Sequence, residues 1–120
     1  MRIVVPLVLM LLTVCAQEKQ ERKPPPDPTN LKVLKVTKGS EVMQIMRTFT
    51  AGLGVQCSFC HVQGNFASDD NPKKETARHM IEMTMLVNSK FPDGKMRVTC
   101  YTCHRGEAEP KTAPEAKAGP

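Results

Sequence analysis

The sequence has 120 residues, of which 40% are hydrophobic, with four Phe, one Tyr and no Trp. Seventeen Lys and Arg against twelve Asp and Glu give a formal net charge of +5, but these residues form no dense basic block interleaved with aromatics, which argues against nucleic-acid binding. So few aromatic side chains cannot fill a large core. The composition therefore predicts one small domain whose interior is completed by disulfides, a metal or a bulky cofactor.

The N-terminal residues 1–16 have the pattern of an export signal, because Arg2 is followed by an apolar run over residues 3–14. This run is too short to span a membrane. Two processing schemes are open. Signal peptidase would cut after Ala16, whereas a lipoprotein box over residues 12–15 would make a lipidated Cys15 the first residue and attach the protein to a membrane. Both schemes predict a periplasmic or otherwise extracytoplasmic protein.

Proline and polar residues flank the foldable part of the chain. Residues 17–30 hold four of the ten prolines and predict an extended, Pro-rich linker. Residues 107–120 have no hydrophobic periodicity and predict a disordered tail. The domain itself is expected over residues 31–106.

A first helix is predicted over residues 41–51, with Ser40 as its N-cap and Glu41 in its first turn. Gly52 and Gly54 are expected to end it. The apolar residues recur at intervals of three and four, as one face of a helix requires. They are Val42, Ile45, Met46 and Phe49.

A second helix is predicted to begin at Asn71 and Pro72, a cap followed by a first-turn proline, and to end near Asn88. Its apolar face carries Ala77, Met80, Ile81, Thr84 and Val87. A turn is expected at residues 92–94, and residues 96–99 are expected to be a short extended piece. The fold class is therefore mainly α, with few helices and little or no sheet.

Two C-x-x-C-H motifs carry the chemistry, using four of the five cysteines and two of the three histidines. On one helical turn, cysteines three apart lie on one face and can form thioethers to the two vinyl groups of a haem, and the adjacent histidine can reach the iron. The pattern predicts a small domain packed around two covalently bound haems. The residues are Cys57, Cys60 and His61 in the first motif and Cys100, Cys103 and His104 in the second.

Three alternative uses of the cysteines explain less. A four-cysteine zinc site favours pairs closer than the 39 intervening residues here and has no use for a histidine after each pair. A thioredoxin-like redox pair needs a βαβ setting, which the predicted elements lack. Structural disulfides leave both histidines unexplained.

Methionines on both predicted helices are candidates for a second axial ligand, since methionine raises the potential of a haem and suits an electron carrier. A methionine on an apolar helix face is also ordinary core filler. Each helix precedes one C-x-x-C-H motif, so the chain has the form of a loose tandem repeat. The methionines are Met43 and Met46 on the first helix and Met80, Met83 and Met85 on the second.

Four stretches of the domain together match a known haem-protein family. They are GVQCSFCH at 54–61, NFASD at 65–69, ARHMIEMT at 77–84 and VTCYTCHRG at 98–106, with Asn88 between the last two. The run from residue 46 to residue 105 resembles the haem-binding repeat of the photosynthetic reaction-centre cytochrome c subunit, a tetrahaem protein. It corresponds to one two-haem half of that subunit.

The resemblance implies that each haem lies against a helix that supplies its distal ligand. By position, Met46 would serve the haem of His61, with Met43 as the alternative. Met80 would serve the haem of His104, with His79, which replaces an arginine of the family, as its rival. A histidine found in one family half, in the loop matching residues 88–100, has no counterpart here.

The function expected from these features is electron transfer by a dihaem c-type cytochrome, which passes single electrons between a donor and an acceptor redox protein in a respiratory or photosynthetic chain. Two irons with six ligands leave no open position for a substrate, so the chain is not expected to be an enzyme. The rival hypotheses are a peroxidase-like dihaem enzyme with one vacant iron and a haem-based gas or redox sensor.

Overall fold

The computed structural model describes residues 23–114, in which the chain forms three α-helices and a single turn of 3-10 helix. The helices are α1 (Gly39–Leu53), α2 (Pro72–Asn88) and α3 (Cys100–His104), and the 3-10 turn is Cys57–Phe59. Within these residues, Val62 and Asn65 form an isolated antiparallel β-bridge. The mainly α fold class is confirmed. The predicted signal over 1–16, the start of the linker and the last six residues lie outside the described part.

The start of α1 differs from the sequence prediction, because the helix begins at Gly39 with Lys38 as its N-cap rather than with Ser40. The Gly39 amide donates to Asp27 Oδ1 at 3.0 Å, and the Lys38 amide donates to Glu41 Oε2 at 3.2 Å. A carboxylate twelve residues upstream thus satisfies an amide of the first turn and complements the positive end of the helix. The prediction of Ser40 as the N-cap was wrong because the acceptor, Asp27, comes from a distant part of the chain.

The end of α1 is packed against α3. Gly54 ends the helix in the left-handed region, with φ of 65°, as predicted, whereas Gly52 lies inside the last turn. Gly52 is buried, and its carbonyl accepts a hydrogen bond from the Gly106 amide at 2.9 Å. A Cβ atom at Gly52 would lie 2.9 Å from Cys100 Cβ. The missing side chain therefore allows α1 to approach the second cysteine motif.

Gly52→Val should destabilise the protein by about 1–3 kcal/mol, because the new side chain must push α3 away from α1. Ala51→Val is the matched control, since Ala51 is exposed on the same turn and should cost only the helix propensity of valine, about 0.5 kcal/mol. Denaturant unfolding of the purified proteins measures both changes. Equal losses for the two variants would contradict the close packing of the helices.

Helix α2 joins the two motifs through asparagines at its two ends. As predicted, Asn71 caps it, accepting from the Lys73 amide at 3.1 Å, and Pro72 is its first residue. The Asn71 amide group donates to the Phe59 carbonyl of the first motif at 3.1 Å. At the other end, Asn88 Oδ1 accepts from the amides of residues 97 and 98 at 2.9 Å. The helix thereby fixes the segment that leads into the second motif.

The chain's segments outside the helices also make defined contacts. The predicted turn at residues 92–94 is present, with the Gly94 amide bonded to the Phe91 carbonyl at 3.2 Å. Residues 96–99 form no strand. In the expected tail, the Lys111 amide donates to the Cys103 carbonyl at 2.8 Å, so this part of the chain touches the second motif.

Apolar side chains of the helices are not covered by the polypeptide. Within residues 23–114, no hydrophobic side chain is fully buried. Several large ones are exposed, and so much uncovered apolar surface is unusual for a small domain. They are Met43, Phe66, Met80, Met83, Met85, Leu86, Val87, Met96 and Tyr101. None of the helices in the described range is both long and apolar enough to cross a membrane.

Candidate functional site

The first motif is wound into one helical turn. The Cys60 and His61 amides both donate to the Cys57 carbonyl, at 3.3 and 3.0 Å, so the turn continues past the 3-10 segment to the histidine. Cys57 is exposed and Cys60 is half-buried, and both are free thiols. The turn therefore presents two cysteines and the following histidine from a single rigid element.

The second motif occupies the whole of α3. Its N-cap is Thr99, whose amide donates to Thr102 Oγ1 at 2.9 Å. Its C-cap is Arg105, a non-glycine residue in the left-handed region with φ of 56°. Both cysteines are again free thiols, with Cys103 exposed and Cys100 half-buried. The two motifs thus present the same residues in the same order on separate elements.

The half-buried cysteine of each motif is poorly suited to redox exchange. Burial raises the pKa of the Cys60 thiol, an effect that the charge of Lys73 opposes. Burial also raises the pKa of the Cys100 thiol. Since disulfide oxidoreductases depend on a lowered thiol pKa, these two positions work against a thioredoxin-like role.

The two motif histidines are held in the same way. Nδ1 of His61 lies 3.1 Å from the Phe66 carbonyl oxygen, and Nδ1 of His104 lies 3.1 Å from that of Glu107. A carbonyl can only accept, so Nδ1 is the donor in each contact, and in the neutral ring the lone pair is then on Nε2. Histidines that ligate metals are typically held by a hydrogen bond to the other nitrogen. In addition, the Phe66 ring meets the His61 ring edge-on at 5.4 Å.

The loop that follows the first motif is fixed to α2 by Lys74. Its ammonium group donates to three successive carbonyls, of Phe66 at 2.9 Å, Ala67 at 3.0 Å and Ser68 at 2.7 Å. Sequence reasoning did not select this lysine, since a backbone carbonyl leaves no signature in the sequence. The lysine therefore supports the carbonyl that holds His61.

An ion-pair network around Asp69 attaches the same loop to α2 and to the N-terminal segment. Arg78, the buried charged residue of the described part, lies 2.7 Å from Asp69 and 2.7 Å from Glu75. Hydrogen bonds from Arg78, Lys32 and Asn30 hold the pKa of Asp69 well below its ordinary value. Asp69 therefore stays ionised in the folded protein and anchors the loop.

Asp69→Asn should lower the unfolding temperature at neutral pH. A carboxyl whose folded pKa is depressed stabilises the fold above its unfolded pKa, here 3.8, and loses that contribution as the pH falls toward the folded value. The difference between wild type and variant should therefore be full at pH 7 and shrink below about pH 4. Asp70→Asn is the control, since the Asp70 carboxylate accepts a hydrogen bond at 2.7 Å from the hydroxyl of Ser68, two residues away in the same loop. A pH-independent difference for Asp69→Asn would contradict this role.

The candidate distal ligands lie on helices apart from the motif turns. Met46 is half-buried on α1, about 120° around the helix axis from Gly52. Met80 on α2 is 42% exposed and Met43 on α1 is 41% exposed. His79 Nε2 lies 3.8 Å from Glu75 Oε1. Ligation by Met46 and Met80 stays a prediction.

The donor groups of both motifs fit a covalently attached haem. Each turn offers two free thiols and a histidine whose Nε2 lone pair is available. The uncovered methionines and leucine of α2 supply apolar surface of the kind a porphyrin would cover. In contrast, no three His, Cys, Asp or Glu side chains converge on a metal-ion position within residues 23–114.

Comparisons with known proteins agree with the motifs. The family model described as photosynthetic reaction centre cytochrome C subunit matches residues 14–119. The photosynthetic reaction center cytochrome c subunit of Thermochromatium tepidum is 36% identical over 122 residues, which cover 91% of this chain and 30% of that protein. Cytochrome c-554 of Chloroflexus aurantiacus is 36% identical over 85 residues, covering 66% of this chain and 20% of that protein.

The photosynthetic reaction center cytochrome c subunit of Rubrivivax gelatinosus is 37% identical over 86 residues, covering 68% of this chain and 23% of that protein. The chain thus spans less than a third of the length of each of these relatives. The matched region includes both C-x-x-C-H motifs and the helices between and before them. The resemblance inferred from the sequence is confirmed, and the chain belongs to the photosynthetic reaction centre cytochrome c subunit family.

Proposed function

We propose that this protein is a dihaem c-type cytochrome that transfers single electrons between redox proteins. The observation that carries the proposal is the matched pair of histidines, each following two cysteines on one turn and each fixed at Nδ1 by a backbone carbonyl 3.1 Å away. A haem bound at each motif would supply an iron that alternates between the ferric and ferrous states. Family membership supports the same cofactor.

The chain's own residues would do the following work. The cysteines would hold each porphyrin on a rigid turn through thioether bonds. The histidines would present Nε2 to the iron, with their rings held in place by the carbonyls of Phe66 and Glu107. Holding both rings in place would limit the rearrangement of the ligands on oxidation, which suits fast electron transfer.

Met46 and Met80 are the proposed distal ligands. Met46 lies on α1 about 120° around the helix axis from Gly52, the residue that approaches Cys100, so its thioether would contact a group other than that part of α3. Met80 is preferred to His79 because the His79 ring is turned toward Glu75. If each of the two irons has six ligands, neither has an open position for a substrate, so electron transfer is favoured over catalysis. A peroxidase-like enzyme would need a distal acid–base group, and His79 is the remaining histidine of the three.

The proposed location is the periplasm or an equivalent extracytoplasmic compartment. The export pattern of residues 1–16 supports it, and covalent haem attachment to c-type cytochromes follows export. A lipidated Cys15 would anchor the protein to the membrane, whereas cleavage after Ala16 would release it. The mass of the mature N-terminal peptide distinguishes the two, and a retained Met1 would contradict both. The proposed partners are donor and acceptor redox proteins of a respiratory or photosynthetic chain.

A redox titration of the purified protein, followed by its haem absorption, tests electron transfer. We expect two one-electron transitions and no carbon monoxide adduct of the reduced protein at short exposure, because both irons would be six-coordinate. Rapid binding of carbon monoxide to the unmodified protein would instead identify an open iron. That result would favour the enzyme or the sensor over the electron carrier.

A further inference from the structure

The Phe66 carbonyl accepts hydrogen bonds from two donors of different kinds. One is Nδ1 of His61 at 3.1 Å, and the other is the Lys74 ammonium at 2.9 Å. The lysine side chain is only 12% exposed, so water screens its charge weakly. Lys74 is thus linked to the first motif's histidine through one shared oxygen atom.

The positive charge of Lys74 is only partly neutralised by its neighbours. Asp69 Oδ1 lies 3.2 Å from the Lys74 ammonium. The same carboxylate also pairs with Lys32 at 2.8 Å and with Arg78 at 2.7 Å. With Glu75 bound to Arg78, the group contains three cations and two carboxylates, a net charge of +1. The two carboxylates of this group therefore do not cancel the positive charge next to the Phe66 carbonyl.

A cation on a carbonyl oxygen withdraws electron density from it and weakens it as an acceptor for a second donor. The His61 Nδ1–H bond to Phe66 would then give the imidazole less anionic character than a carbonyl bonded to the histidine alone. A less anionic imidazole is a weaker electron donor and stabilises ferric iron less. The haem held by His61 should accordingly be easier to reduce.

We propose that Lys74 is a positioning residue that raises the reduction potential of the haem on His61, by binding the carbonyl that orients this histidine. The inference rests on the proposed function, because it requires a haem at the first motif. It separates the reduction potentials of the two haems and thus gives an electron a preferred direction between them. In this proposal Lys74 alters the potential of the haem, whereas His61 remains the residue that would ligate its iron.

Lys74→Gln, compared with wild type, tests this role. NMR of the haem methyl protons during an electrochemical titration reports each haem separately. At a fixed electrode potential, the reduced-to-oxidised ratio of the His61 haem should fall about threefold or more, while that of the His104 haem stays nearly constant. Lys74→Arg, which keeps the charge, should have a ratio for the His61 haem close to that of wild type. A merely structural role would not be rescued by arginine, whose planar guanidinium cannot repeat the three carbonyl contacts of the ammonium.

Lys73→Gln is the matched control for loss of a nearby charge. The Lys73 ammonium lies 4.3 Å from the centre of the Phe59 ring, also beside the first motif, without a bond to the Phe66 carbonyl. In Lys73→Gln, the reduced-to-oxidised ratio of the His61 haem should change clearly less than in Lys74→Gln. Equal changes in the two variants, or no change in Lys74→Gln, would overturn the proposal.

A second pair of variants tests the role of Lys74 if Lys74→Gln yields no haem-loaded protein. Asp69→Asn removes the carboxylate that offsets Lys74 and should raise the ratio of the His61 haem more than Asp70→Asn does. Equal effects would overturn the role of Lys74. Absence of covalent haem from the wild-type first motif would instead refute the proposed function, so the two failures are distinguishable.

Discussion

Replacing both Cys100 and Cys103 by serine should remove one haem and leave much of the chain unfolded. The helices of residues 23–114 bury no hydrophobic side chain completely, so the proposed haems would complete the core. The second motif is also the surface on which α1 packs at Gly52. Far-UV circular dichroism should show the loss of most helical signal, and haem content should fall to half or less.

Tyr101→Phe is the control for that experiment, because Tyr101 lies inside the same motif and is 54% exposed. It should retain both haems and the wild-type helical signal. The account of a cofactor-dependent core would be wrong if the double serine variant kept its full helical content and a cooperative unfolding transition.

Met46→Ala should open the haem of His61, and Met80→Ala should open that of His104. Loss of a neutral thioether removes a ligand that favours ferrous iron, so the potential of the affected haem should fall while the other changes little. Each variant should also bind carbon monoxide or cyanide readily at a single iron. Optical titration with these ligands, combined with a redox titration, measures both effects.

Met43→Ala and Met83→Ala serve as controls, since these side chains are 41% and 53% exposed on the same two helices. They should open neither iron and should cost at most about 2 kcal/mol of packing. His79→Ala is the decisive comparison at the second site. If it opens that iron while Met80→Ala does not, the ligand pair there is two histidines, although electron transfer would survive.

Local signals in the sequence were enough to predict α2 and both motif turns. Asn71 caps α2 through the Lys73 amide and Pro72 is its first residue, so this signal lies within three consecutive residues. The spacing of Cys57, Cys60 and His61 likewise needs only one turn. The start of α1 was not predictable in this way, because its amide acceptor is Asp27, twelve residues upstream.

The groups that hold the site were harder to predict than the site itself. The acceptors of the two histidines are backbone carbonyls of Phe66 and Glu107, and any residue type can supply a carbonyl. Lys74 and Arg78 lie among other charged residues of α2. Consecutive charged residues on a helix usually indicate a face exposed to solvent. Only the fold of the loop over residues 62–71 brings their partners together.

The mass of the intact, denatured mature protein tests the central claim most directly, because thioether bonds keep each haem attached after unfolding. The account predicts a mass that exceeds the polypeptide by two haems. Digestion should place one on the peptide with Cys57 and Cys60 and the other on the peptide with Cys100 and Cys103. A mass equal to the bare polypeptide, or reduced only by the hydrogens lost in disulfide formation, would contradict it.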